Sequence, residues 1–90
     1  MYDKLVQAIL DLKTAEECEA FFSDLCTIKE LQDMSQRYEV AVMLYGGKNY
    51  VEISEATGAS SATISRVNRC LNYGQNGYRT SLERAGEEPR

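Results

Sequence analysis

The segment Thr27–Gly47 is marked as a helix at both ends, and its apolar residues do not keep to one side. Thr27-Ile-Lys-Glu30 has the form of a capping box, in which the Thr hydroxyl and the Glu carboxylate satisfy backbone N–H groups that lack an intrahelical partner. Gly46-Gly47 is a natural C-terminal stop. A helix from about Ile28 to Tyr45 follows. Leu31, Met34, Tyr38, Ala41 and Tyr45 form one line along it, and Val40, Met43 and Leu44 broaden that line around the helix. A helix apolar on two sides is buried on two sides. A chain of 90 residues builds only a modest core, and small domains often complete theirs by oligomerising. A second copy of the chain is the expected cover, so a homodimer is expected.

Before this helix, Tyr2, Leu5, Val6, Ile9 and Leu12 fall at helical spacing, with Asp3, Lys4, Gln7 and Asp11 on the other side. Thr14-Ala-Glu-Glu17 has the form of a capping box opening a helix with Ala15, Cys18, Phe21, Phe22 and Leu25 on one face. These narrow helices suit packing or exchange between subunits, so residues 1–47 read as dimerisation helices. Residues 48–73 read as a helix-turn-helix: a helix over Tyr50–Thr57, a turn at Gly58-Ala59, and a helix from about Ser61 to Asn72. The turn-rich Tyr73-Gly-Gln-Asn-Gly77 precedes a last short helix over Tyr78–Arg84 within 74–85, and 86–90 read as a frayed polar tail. No stretch alternates with period two, and no repeat or linker divides the chain. A single all-α domain is expected.

Composition narrows the function. With no histidine, a Ser–His or Cys–His nucleophile is impossible, and carboxylate or lysine chemistry needs a cleft that so short a chain can hardly enclose. An enzyme is not expected. The three cysteines, Cys18, Cys26 and Cys70, are odd in number and widely spaced, so no disulfide framework and no metal site is expected. They read as buried reduced thiols. No apolar run could span a bilayer, and the N-terminus, with Asp3 and no extended apolar core, does not read as a signal peptide. The expected location is the cytoplasm, with no membrane partner.

The helix-turn-helix carries the functional signal. Its turn needs a residue tolerant of a left-handed backbone, which Gly58 supplies. Ile53 with Ala56 can pack the first helix on the second, and Ile64, Val67 and Leu71 can anchor the second at spacings of three and four. The helix entry, Ser60, Ser61, Ala62 and Ser65, is small and polar, so a backbone can approach base edges and phosphates. Arg66 and Arg69 lie where side chains can reach phosphate, or guanine in the major groove.

The stretch ISEATGASSATISRVNRCL (53–71) resembles the Trp repressor superfamily, especially its TrpR-related YerC/YecD branch of small bacterial proteins. GASSATISR is the strongest element, similar to the family's Gly-Ala-x-x-Ala-Thr-Ile-Thr-Arg entry into the reading helix. The match continues in looser form from Thr27 to about Leu82. The resemblance implies an intertwined all-helical homodimer of the Trp repressor type, presenting two reading helices to a pseudo-palindromic operator in double-stranded DNA. Half-sites would lie about 34–36 Å apart, one duplex turn. It carries DNA contact onto Tyr50, Ser54, Ser60, Ser61, Ala62 and Ser65, with Thr63 near the backbone. The implied function is a sequence-specific transcriptional regulator, a repressor. The alternative is a protein-interaction module that uses a helical corner without nucleic acid.

The net charge of −4 does not exclude DNA. Residues 1–47 carry four basic and nine acidic side chains, a net of −5, whereas Lys48, Arg66, Arg69 and Arg79 against Glu52 and Glu55 leave residues 48–79 at +2. Charges beyond a Debye length of roughly 8 Å are heavily screened. Few cations still mean weak non-specific affinity.

The resemblance also raises a small-molecule effector. The Trp repressor's corepressor lies beside the reading helix, held by arginines; Arg66 matches one, and Arg37 matches another after a one-residue slip. Val67 stands where the family has glycine, however, and Cys70 where it has serine. A β-branched side chain fills the space an indole needs, and a thiol is the weaker hydrogen-bonding group. No cofactor is expected and tryptophan is disfavoured; Arg37 and Arg66 remain candidate partners for a carboxylate or phosphate.

Overall fold

The computed structural model describes residues 2–89, and every regular element among them is helical. The order is α1 (Asp3–Leu10), α2 (Ala15–Leu25), α3 (Ile28–Tyr45), α4 (Tyr50–Thr57), α5 (Ser61–Tyr73) and α6 (Gly77–Arg84). α3 and α4 have the expected ends, α5 runs one residue longer, and α6 starts one residue earlier. The chain forms two compact units, the first reaching Gln32 and the second running from Asp33 onward.

The first unit holds α1, α2 and the opening of α3. Thr14 caps α2 through its Oγ, which accepts from the Glu17 N–H at 3.1 Å. The Glu17 carboxylate accepts from the N–H of Lys13 at 2.9 Å, not from that of Thr14, so the reciprocal half of the box is displaced by one residue. At α3 the box is complete: Glu30 N–H donates to Thr27 Oγ at 3.1 Å, and Thr27 N–H donates to Glu30 Oε1 at 2.8 Å. Phe21 and Phe22 meet edge to face with centroids 5.4 Å apart. Neither α1 nor α2 buries a residue; Val6 is 50% exposed and Leu25 52%. The cysteines correct the sequence reading, since Cys18 and Cys70 are exposed and Cys26 is half-buried, all as free thiols. Cys70 lies on α5 just off the buried line of Val67 and Leu71, and Cys18 lies on a helix that buries nothing.

The second unit contains the core. Val40, Ala41 and Tyr45 from α3 pack with Ile53 from α4, Ile64, Val67 and Leu71 from α5, and Leu82 from α6. Burial stops short of the whole α3 line, for Met34 and Tyr38 are 36% and 37% exposed. α3 ends in a Schellman motif: Lys48 N–H donates to the Met43 carbonyl and Gly47 N–H to that of Leu44, both at 3.0 Å. The same pair of bonds closes α6, from Glu87 to Leu82 and from Gly86 to Glu83. Tyr38 joins α3 to α6 through a 2.6 Å hydroxyl contact with Ser81.

Candidate nucleic-acid interface

The corner between α4 and α5 is fixed by local chemistry at each step. Asn49 opens α4 with a full capping box: its Oδ1 accepts from the Glu52 N–H at 2.9 Å, and Glu52 Oε1 accepts from the Asn49 N–H at 3.0 Å. Asn49-x-x-Glu52 carries that signal in the sequence. At the other end the Thr57 hydroxyl donates to the Ile53 carbonyl at 2.8 Å and accepts from the Ala59 N–H at 3.2 Å. Gly58 adopts φ +74°, the left-handed conformation the turn requires. Gln36 of α3 donates from Nε2 to the Thr57 carbonyl at 3.1 Å, tying the turn to the long helix. The Ser60 hydroxyl caps α5 by accepting from the Thr63 N–H at 3.2 Å.

Packing of the corner differs from the sequence reading in one place. Ile53 is buried as expected, but Ala56 is exposed, and the small residue inside is Ala59 at 1% exposure. The αL turn swings Ala59 back under α5, whereas Ala56 lies on the outer side of α4. Ile64, Val67 and Leu71 form the buried line of α5.

Burying that line leaves the opposite face of α5 to solvent. Ser61, Ala62, Ser65, Arg66 and Arg69 are exposed there, as are Tyr50 and Ser54 on α4. Ser65 Oγ lies 3.4 Å from Tyr50 Oη, bringing residues from the two helices together. Thr63 is half-buried, and its hydroxyl is 3.2 Å from that of Ser60. Ser60 and Thr63 are therefore engaged in shaping the helix entry. A hollow of about 280 Å³ lies between the helices, lined by Tyr50, Val51, Ser54, Glu55, Ser61 and Ile64. Val51 has no periodic signature in the sequence, because it is an exposed valine on a short helix.

The cations divide by role. Arg66, Arg69 and Lys48 are exposed. Arg79 is half-buried: its Nε donates to the Leu71 carbonyl at 2.8 Å, its Nη2 to Asn72 Oδ1 at 3.1 Å, and its Cζ sits 5.9 Å from the Tyr45 ring centroid. It closes the end of α5 and is a structural cation. Arg37 and Arg66 do come together, lining a cleft of about 170 Å³ with Asp33, Gln36 and Thr63. Val67 is 1% exposed and part of the core. Cys70 opens onto a different hollow, with Tyr38, Gly74 and Tyr78. Among the described residues no group of Cys, Asp and Glu is placed to hold a metal ion, and no helix is long and apolar enough to cross a membrane.

An all-helical chain with a glycine-turned corner and a polar, partly cationic outer helix face defines a helix-turn-helix protein. The Trp repressor protein family model matches residues 1–86, and the chain belongs to that family of DNA-binding regulators. Within it, the chain is 56% identical over 85 residues to the uncharacterized protein YerC of Bacillus subtilis, spanning 94% of this chain and 82% of that one, and falls in the TrpR-related YerC group. Two crystal structures share the fold. A candidate Trp repressor from Staphylococcus aureus superposes with a TM-score of 0.94 at 48% identity, covering 98% of this chain and 88% of the other. A TrpR-like protein from Eubacterium eligens gives 0.93 at 53% identity, covering 98% and 91%.

Proposed function

We propose that this chain is a sequence-specific transcriptional regulator, a repressor that binds a pseudo-palindromic operator as a homodimer. The observation that carries this reading is the two-sidedness of α5. Ile64, Val67 and Leu71 fix one face in the core, so Ser61, Ala62, Ser65, Arg66 and Arg69 stand together on the other. Small polar side chains let the helix approach base edges, and the guanidinium groups suit phosphate or guanine. Tyr50 and Ser54 extend the surface from α4, and Ser60 and Thr63 hold the helix entry. The apolar residues left exposed on α1 and α2, with Met34 and Tyr38 of α3, support a dimer in which a second copy covers them.

A tryptophan corepressor does not suit this chain, because the Val67 side chain is built into the core beside Arg66. The Arg37–Arg66 cleft keeps the chemistry to hold a small anion, with Asp33 on its wall opposing high negative charge.

The deciding experiment is selection from random duplexes, followed by a salt titration on the enriched site. The expected result is a two-fold symmetric site bound with affinity that falls steeply as salt rises. A verified dimer that enriches no sequence would overturn the reading. Capture of a partner protein through 60–69 with little salt dependence would establish the interaction module instead.

A further inference from the structure

We infer that the hollow between α4 and α5 receives the 5-methyl group of a thymine, and that Val51 is the residue that selects it. This inference rests on the DNA-binding reading and names one base edge within it. Val51 is 66% exposed, and its neighbours in the hollow are the aromatic ring of Tyr50 and the fully buried Ile64 at the floor. The hollow opens on the same surface as Ser54, Ser61 and the Tyr50–Ser65 contact. The exposed Arg66 and Arg69 further along α5, in a segment of net charge +2, provide the charge complementarity that makes DNA its occupant.

The chemistry of the lining chooses among the four bases. Guanine presents two acceptors in the major groove and is read by Arg or Lys. No cation lines this hollow to serve them. Cytosine could donate its N4 amino group to Glu55, yet it would leave the Val51 methyls facing a bare C5–H. Adenine offers no apolar group at all. Thymine alone presents a methyl group, which apolar side chains recognise, beside an O4 acceptor that a serine hydroxyl can serve. Glu55 lies one helical turn beyond Val51, where a carboxylate suits the N6 amino group of the adenine paired with that thymine.

The test replaces each thymine of the selected operator by deoxyuridine, one symmetric pair at a time, which removes only the methyl group. At one symmetric pair affinity should fall about fourfold per half-site, the equivalent of about 0.8 kcal/mol for one buried methyl-sized group. Val51→Ala should bind the thymine and deoxyuridine operators equally, and because the residue is exposed its Tm should match the wild type. If every deoxyuridine duplex binds as well as the parent, or if Val51→Ala keeps the preference for thymine, the inference fails and the DNA-binding reading stands. If selection enriches no site, the DNA-binding reading fails and this inference with it.

Discussion

Arg79 of α6 donates from Nε to the main-chain carbonyl of Leu71 in α5 at 2.8 Å, so one side chain closes the end of α5 and anchors the helix after it. The guanidinium also reaches Asn72 and lies over the Tyr45 ring. A charged donor on a half-buried carbonyl contributes about 1.5–3 kcal/mol, and a half-exposed cation–π contact adds about 0.5–1 kcal/mol. Arg79→Met keeps the aliphatic packing and is expected to lower stability by about 2 kcal/mol. Urea denaturation checks this, and a change below 0.5 kcal/mol would show that the contacts are not coupled to folding.

Two glycines should fail for different reasons. At Gly58 the nearest non-neighbouring atom to an added Cβ is Gln36 Nε2 at 4.0 Å, so space is available and only the left-handed backbone at φ +74° resists. Gly58→Ala should cost about 1–2 kcal/mol, and Gly58→Asn less, since Asn tolerates that conformation. At Gly74 an added Cβ would lie 2.3 Å from the Cys70 carbonyl oxygen, which is backbone and cannot step aside. Gly74→Ala is expected to be the worse substitution, and thermal melts of the three variants order them directly.

Val67 separates the core from any ligand role. Its side chain is 1% exposed, so Val67→Ala should lose about 1–3 kcal/mol through lost burial and the cavity left behind. L-tryptophan at millimolar concentration should leave the wild-type Tm unchanged, because a ligand that binds only the folded state would raise it. A rise of several degrees would show that the indole finds another place beside Arg66.

The exposed arginines should be visible in the salt dependence of operator binding. Each phosphate contact contributes about 0.9 to the slope of log K against log salt. Arg69→Ala in a dimer removes two such contacts, so the slope should shrink by about 2 with affinity reduced on all sequences alike. Arg79→Met, whose guanidinium is engaged within the protein, should leave the slope unchanged.

The dimer has its own test. Val6 and Ile9 are 50% and 40% exposed on α1, on a helix that buries nothing within one chain. Sedimentation of the wild type should give a dimer at micromolar concentration, and Val6→Asp with Ile9→Asp should shift it toward monomer. A wild-type monomer would refute the assembly.

Much of the fold was legible in the sequence because its signals are local. Thr27–Glu30 at one end of α3 and Gly46-Gly47 at the other place the helix boundaries, and the spacing of Ile64, Val67 and Leu71 identifies the buried side of α5. The departures are places where an identity must be weighed against its neighbours in space. Ala56 and Ala59 are chemically alike, and only the path of the turn through Gly58 decides which goes inside. The cysteines are apolar enough to bury, yet Cys70 falls one position short of Leu71 on the helix wheel and is left exposed.

The residues themselves determined the helices, the turn at Gly58 and the polar character of the helix entry, for capping, backbone sterics and periodicity act within a few positions along the chain. Tertiary structure alone decided that Arg79 is spent on the Leu71 carbonyl, that Arg37 and Arg66 share a cleft, and that Val51 joins Tyr50 and Ile64 around one hollow. Each grouping draws on more than one helix. Their meeting depends on how the core packs, which no local pattern records.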